Sequence, residues 1–232
     1  MEKIYTIPVN EAFEISDGCP FCRMYEKLES SEIELILGAS LMEPDIRTKT
    51  NKLGFCRKHY DQMLSGKNRL GLALMLDSHL DCVREAVLFK SFLGLIRENT
   101  EKIADNAKAI ADSCYICGKI DMHLTKMFET SMLLWDADPD FRKKFDAQPF
   151  FCIPHYSQMM RISKAYISKK KLPDFAAAAQ HIQSVYIGEL EKDIDWFCKK
   201  FDYRFKDEPW NNSRDAVERA ASFLSGKAGA LK

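Results

Sequence analysis

A chain of 232 residues can bury roughly 70% of its unfolded surface and needs no cross-links to fold. Its 34 Lys plus Arg cancel 34 Asp plus Glu, and 46% hydrophobic with 29% charged residues is an ordinary globular composition, which excludes a disordered chain and a globally basic surface of the kind that seeks nucleic acid. Gly 10 and Pro 8 are few for this length, so tight turns should be few and helices long.

In chain order, Met1 to Pro8 lacks the apolar core and cleavage site of a secretory signal, and Ile4 to Val9 is the one stretch that alternates like a strand. Pro20 suits a first helical position, and Phe21, Met24, Tyr25 and Leu28 continue it with helical spacing. Leu72, Leu76, Leu80, Val83 and Val87 mark a long amphipathic helix, with Ile182, Val185, Tyr186, Leu190, Ile194, Phe197 and Phe201 as its counterpart; both are expected in the core. The apolar run Ala86 to Ile96, broken by Lys90 and Ser91, reads as buried helix and is too short to span a membrane. Residues 98–113 are more polar and read as a helical linker, and Asn212 with Asp215 should cap a last helix ending near Gly226.

The cysteines and histidines fall into two matching sets. Cys19-x-x-Cys22 with Cys56-x-x-His59 is followed by Cys114-x-x-Cys117 with Cys152-x-x-His155. At an offset of 95, Cys19, Cys22, Pro44, Asp45, Arg47 and Lys49 meet Cys114, Cys117, Pro139, Asp140, Arg142 and Lys144. After one inserted residue, Phe55, Cys56, His59, Tyr60, Gln62 and Met63 meet Phe151, Cys152, His155, Tyr156, Gln158 and Met159. Identities in this order point to an internal duplication. The expected architecture is all-α: a first repeat over 1–97, a helical linker over 98–113, a second repeat over 114–205 and a C-terminal helix and tail over 206–232.

At this length, and in the reducing cytoplasm that the missing signal implies, paired cysteines more often bind metal or do redox work than form disulfides. Zinc takes four soft or borderline ligands in a tetrahedron. A Cys-x-x-Cys at a helix start aims two thiolates at one point, and in a Cys-x-x-His the two side chains share a helix face. The expectation is therefore two closed sites and two zinc ions per chain. Cys19, Cys22, Cys56 and His59 would close one within the first repeat, and Cys114, Cys117, Cys152 and His155 the other within the second. Completion of each Cys-x-x-Cys by the Cys-x-x-His of the other repeat is the open alternative. Three cysteines and one histidine also suit an iron–sulfur cluster, and the same thiols can serve electron transfer or oxidant sensing.

Cys19-Pro20-Phe21-Cys22 looks like a glutaredoxin dithiol, but Glu14 to Gly18 precedes it where an apolar strand is needed. Haem attachment fails because Arg23 and Gly118 stand where histidine is required. His79 with Cys82, three apart on an apolar helix, read as core, as does Cys198; His123 and His181 lack partners at ligand spacing. Lys169 to Lys171 read as a solvated turn, and Asp45–Arg47 and Asp140–Arg142 as helix-start acids with local ion pairs. A closed four-ligand site leaves no position for substrate, and no phosphate loop, nucleophile elbow or His-Glu-x-x-His is present, which argues against an enzyme.

Several strings resemble a mostly clostridial bacterial family defined as a domain of unknown function. They are Tyr5 to Asn10, Cys19-Pro20-x-Cys22, Gly54 to His59, Asn68 to Ala73, Cys114-x-x-Cys117 with Phe151-Cys152-x-Pro154-His155, Phe201 to Arg204 and Glu208-Pro209-Trp210. The resemblance spans nearly the whole chain and implies a cytoplasmic protein of an anaerobe. One departure is Phe150, which stands where a glycine matching Gly54 is expected. Together these observations favour a metal-binding helical module acting in binding or as an adaptor. A protein partner is open, membrane and nucleic acid are disfavoured, and the oligomeric state is not readable.

Overall fold

The structure is a computed structural model that describes residues 3–88 and 100–226. All regular secondary structure among them is helical, as expected, and no helix is long and apolar enough to cross a membrane. The run Ala86 to Ile96 lies largely outside the described residues. By contact density the chain divides into two compact units, one formed by Met1–Lys27 with His123–Lys232 and the other by Leu28–Met122. The division falls inside α2 (Pro20–Leu37) and α7 (Tyr115–Ala137), so each unit contains the start of one of these helices and the end of the other.

In the first unit, α1 (Lys3–Glu14) runs through Ile4 to Val9, the one stretch that alternates like a strand. Helical spacing wins because Val9, Ala12 and Phe13 bury one face together, leaving Ile4 and Ile7 outside at 76% and 67% exposure. Phe13 joins Phe21, Phe128, Phe141, Phe145, Phe151 and Phe175, all fully buried, in one aromatic core. Phe21 stacks on Phe128 at 3.9 Å between ring centres, and Trp135 meets Phe175 edge-on at 5.1 Å. Truncating any one of these to Ala typically costs about 3–5 kcal/mol.

Pro139 opens α8 (Pro139–Asp146) with Asp138 as its cap. Arg142 does not pair with Asp140. Its guanidinium lies over the Trp135 ring and donates to the carbonyls of Trp135 and Asp136, groups that the end of α7 leaves without helical partners. Asp140 pairs with Lys143 instead. After α9 (Ile153–Tyr166), the 28-residue α10 (Leu172–Lys199) buries Phe175, Ala179, Ile182, Tyr186 and Leu190. Val185 and Phe201, expected in the same stripe, are exposed. Phe150 packs flat on Tyr186 and edge-on against Phe223 of α11 (Ala216–Ser225), which explains an aromatic residue where the first repeat has glycine. Helix α11 ends at Gly226, as expected. Its cap position is Asp215, while the Asn212 side chain donates to Asp193.

The second unit holds α3 (Pro44–Leu53), α4 (Arg57–Ser65), α5 (Arg69–Val87) and α6 (Thr100–Asp112). Residues 100–112 of the expected linker thus form a helix, and it packs on α5 with Asn106 donating to the Ala86 carbonyl. The buried face of α5 is Gly71, Leu72, Met75 and His79, turned away from the expected stripe, so Leu80 is 57% exposed. Asn68 sets that rotation by accepting from the Gly71 amide while donating to the Leu37 carbonyl at the end of α2. Arg47 reaches the Leu74 carbonyl and Ser78 on α5 rather than Asp45.

Gly54 ends α3 with φ +56° and ψ −153°, a conformation essentially closed to other residues, and a Cβ there would lie 2.5 Å from His79 Nε2. The buried His79 ring is itself held by a 2.7 Å bond between Nδ1 and the Asn51 carbonyl, so it cannot easily yield. Gly54→Ala should therefore cost about 1–3 kcal/mol through the backbone alone. Urea unfolding measures this, and an unchanged midpoint would mean that the turn adapts.

Candidate metal centres

All eight ligand candidates sit at helix starts. Cys19 precedes α2 and Cys22 lies in its first turn; Cys114 and Cys117 stand in the same relation to α7. Cys56 is the N-cap of α4 and Cys152 that of α9, each in extended backbone, with His59 and His155 one turn in. Amides at a helix start carry partial positive charge and favour thiolates, and the Cys117 amide points at Cys114 Sγ at 3.5 Å.

The structure gathers the eight into two groups of four. Cys19, Cys22, Cys152 and His155 meet in the first unit, and Cys56, His59, Cys114 and Cys117 in the second, with the ligand atoms of each group within 4.8 Å of one another. This corrects the expectation of one site per repeat: each Cys-x-x-Cys is completed by the Cys-x-x-His of the other repeat. The start of α2 shares its unit with α9, and the start of α7 shares its unit with α4, so each Cys-x-x-Cys meets the Cys-x-x-His that folds beside it rather than the next one along the chain.

In the first group, Cys22 Sγ lies 3.5 Å from Cys152 Sγ, and His155 Nδ1 lies 3.7, 3.4 and 3.1 Å from the sulfurs of Cys19, Cys22 and Cys152. In the second, Cys56 and Cys117 are 3.8 Å apart, and His59 Nδ1 lies 3.2, 3.2 and 3.5 Å from Cys56, Cys114 and Cys117. A tetrahedral zinc with bonds of about 2.3 Å to sulfur and 2.0–2.1 Å to nitrogen has edges of about 3.5–3.8 Å. Each group can hold a metal ion.

Electrostatics agree with that donor set. The hydrogen bond from Cys117 draws the Cys114 thiol down to about 3, while the same contact pushes Cys117 far above the ordinary thiol range. The contact with Cys152 likewise holds Cys22 far down, and burial pushes Cys19 far up. Within each group one sulfur is thus held down and another held up, so these two do not ionise together without a cation. A divalent ion removes that restriction and takes all three cysteines as thiolates.

The surroundings of the two groups differ. Cys19 and Cys22 are 5% exposed, His155 2% and Cys152 0%, with the rings of Phe21 and Phe128 about 6.0 and 5.8 Å from the imidazole. His155 Nε2 is buried without a hydrogen-bond partner. Gln183 fixes the adjoining loop by bonding both the amide and the carbonyl of Phe151. In the second group Cys117 is exposed, Cys56 and Cys114 are half-buried, and only His59 is fully buried. With Nδ1 toward the sulfurs, His59 Nε2–H donates to Glu29 at 3.1 Å, and Lys58 and Gln62 also bond this carboxylate. Burial alone would raise the Glu29 carboxyl, but these three bonds outweigh it and hold it at about 2. Burial would likewise lower His59, yet its contacts with Cys114 and Glu29 bring it up to about 9.

A carboxylate on the far nitrogen of a ligating imidazole fixes its tautomer and strengthens it as a donor. Offset by 95, Glu29 meets Leu124, which is fully buried, so the first centre has no such carboxylate. Glu29→Gln should weaken metal binding about 10–100-fold at the second centre only. Competition with a chromogenic chelator reads this, and equal weakening of both metals would rule the assignment out.

Neither Glu29 nor Gln183 belongs to a Cys or His motif. Glu29 carried a signal, a carboxylate interrupting the apolar stripe of Phe21 and Tyr25 on α2, whereas nothing local marks Gln183. Cys82 and Cys198, read as core, are both exposed, and neither joins a group. His123 bonds Tyr5 Oη at 2.9 Å and His181 is exposed. Lys171 donates to the Asp136 carbonyl and pairs with its side chain.

No curated protein and no solved structure matches the chain. Residues 1–230 match the family of unknown function DUF6062, to which the chain belongs.

Proposed function

We propose that the protein binds two zinc ions, one in each Cys3His group, and works in the cytoplasm as a helical binding or adaptor module whose helix starts the metals hold together. The observation that carries this reading is the compactness of each group: four ligand atoms within 4.8 Å fit the corners of a single-ion tetrahedron. An iron–sulfur cluster distributes its terminal ligands over different irons and so needs a wider set. Closed four-ligand shells favour structural over catalytic metal. The binding role draws on large apolar side chains left outside on α5, where Leu70, Leu74 and Leu80 are 72%, 43% and 57% exposed.

Elemental analysis and an absorption spectrum, on protein prepared without oxygen and without a metal-affinity tag, test the metal. Two zinc per chain and no colour are expected. Iron with sulfide and a visible chromophore would overturn the assignment to zinc, and metal-free protein with titratable thiols would overturn metal binding altogether.

A further inference from the structure

The two centres share one donor set and differ in everything around it. One lies against aromatic rings, with every ligand at most 5% exposed. The other places Cys117 in solvent and leaves Cys56 and Cys114 half-buried. A zinc-bound thiolate keeps a nucleophilic lone pair, and its oxidation is governed by access. A resolving sulfur is also in place, because Cys56 Sγ lies 3.8 Å from Cys117 Sγ.

Resting on the metal reading above, we propose that the centre of Cys56, His59, Cys114 and Cys117 is an oxidation-released zinc site for peroxides, with Cys117 as the modified residue, while the centre of Cys19, Cys22, Cys152 and His155 is permanent. The Cys117 thiolate attacks one peroxide oxygen; the O–O bond breaks and the leaving hydroxide takes a proton. A second thiolate of the same site, Cys56 or Cys114, then attacks the Cys117 sulfur, forming the S–S bond and expelling the sulfur-bound oxygen, which also leaves as water after protonation. Two thiolates lose one electron each, the peroxide gains two, and two protons are consumed. Zinc, left with one thiolate and His59, dissociates. The order of the two centres follows from the burial of their sulfurs, although a cavity of about 300 Å³ lined by Asp17, Arg23 and Glu26 reaches Cys19 and Cys22.

The test is stepwise hydrogen peroxide on the full-length zinc-loaded protein. Released zinc is read with a chromogenic chelator, and every cysteine is mapped by differential alkylation and mass spectrometry, which keeps the exposed Cys82 and Cys198 separate. One zinc should leave at least ~10-fold faster than the other, with Cys117 in a disulfide to Cys56 or Cys114 and with Cys19, Cys22 and Cys152 still protected. Reductant and added zinc should restore two per chain. Simultaneous loss of both ions, a disulfide among Cys19, Cys22 and Cys152, or retention of both until the chain unfolds would overturn the proposal. A zinc count below two before any oxidant is added would instead strike the metal reading itself and remove the basis of this one.

Discussion

Cys56→Ser is expected to lower the metal content from two ions per chain to one and to open Cys114 and Cys117, not Cys19 and Cys22, to alkylation. Cys56 stands in the same repeat as Cys19 and Cys22, yet its sulfur lies 3.8 Å from Cys117 and shares the His59 Nδ1 with Cys114 and Cys117. A serine oxygen is a much poorer zinc donor than thiolate, so the remaining two sulfurs and imidazole lose the closed shell. Quantitative labelling with an isotope-coded maleimide reads each cysteine separately. The converse variant, Cys152→Ser, should expose Cys19 and Cys22 and spare Cys114 and Cys117. Pairwise cycles sharpen the result: Cys56→Ser and Cys114→Ser should be strongly non-additive in metal affinity, whereas Cys56→Ser and Cys22→Ser should be near additive. Reactive Cys19 in the Cys56→Ser protein would restore within-repeat pairing and contradict the structure.

Removal of both metals should cost far more than any single side chain. Structural zinc contributes about 10–16 kcal/mol per site in small domains, comparable to the whole stability of about 5–15 kcal/mol of a typical protein. In the first unit the loss leaves three buried sulfurs and an imidazole whose Nε2 has no partner, set beside the rings that form the core. A tight chelator with reductant at neutral pH is thus expected to unfold that unit. Trp135, Trp196 and Trp210 all belong to it, so tryptophan emission reports it alone, and the buried Trp135 should shift to the red. Loss of helical circular dichroism should follow, and zinc should reverse both changes. Unaltered emission after complete chelation would show that the aromatic core holds without metal, and the first centre would not be structural.

Some features were legible because they depend on local periodicity and chemistry. The two Cys-x-x-Cys and two Cys-x-x-His pairs name all eight residues of the groups, Pro20, Pro44 and Pro139 mark helix starts, and the scarcity of glycine and proline points to long helices. A helix start is set by the residues within one turn of it, so a sequence window contains the needed information. Which pair meets which lies beyond any window, because it depends on contacts between residues 130 and 55 positions apart, such as Cys22 with Cys152 and Cys114 with His59. The helical outcome at Ile4 to Val9 and the turned face of α5 have the same origin. In each case several faces could be apolar by pattern, and the neighbours that bury Phe13 or accept from Asn68 chose among them. The contrast between the centres was likewise written in Glu29 and Leu124, but its meaning required the packing that places Glu29 behind His59 and leaves Cys117 in solvent. Ligand identity is a property of residues; ligand pairing and exposure are properties of long-range geometry.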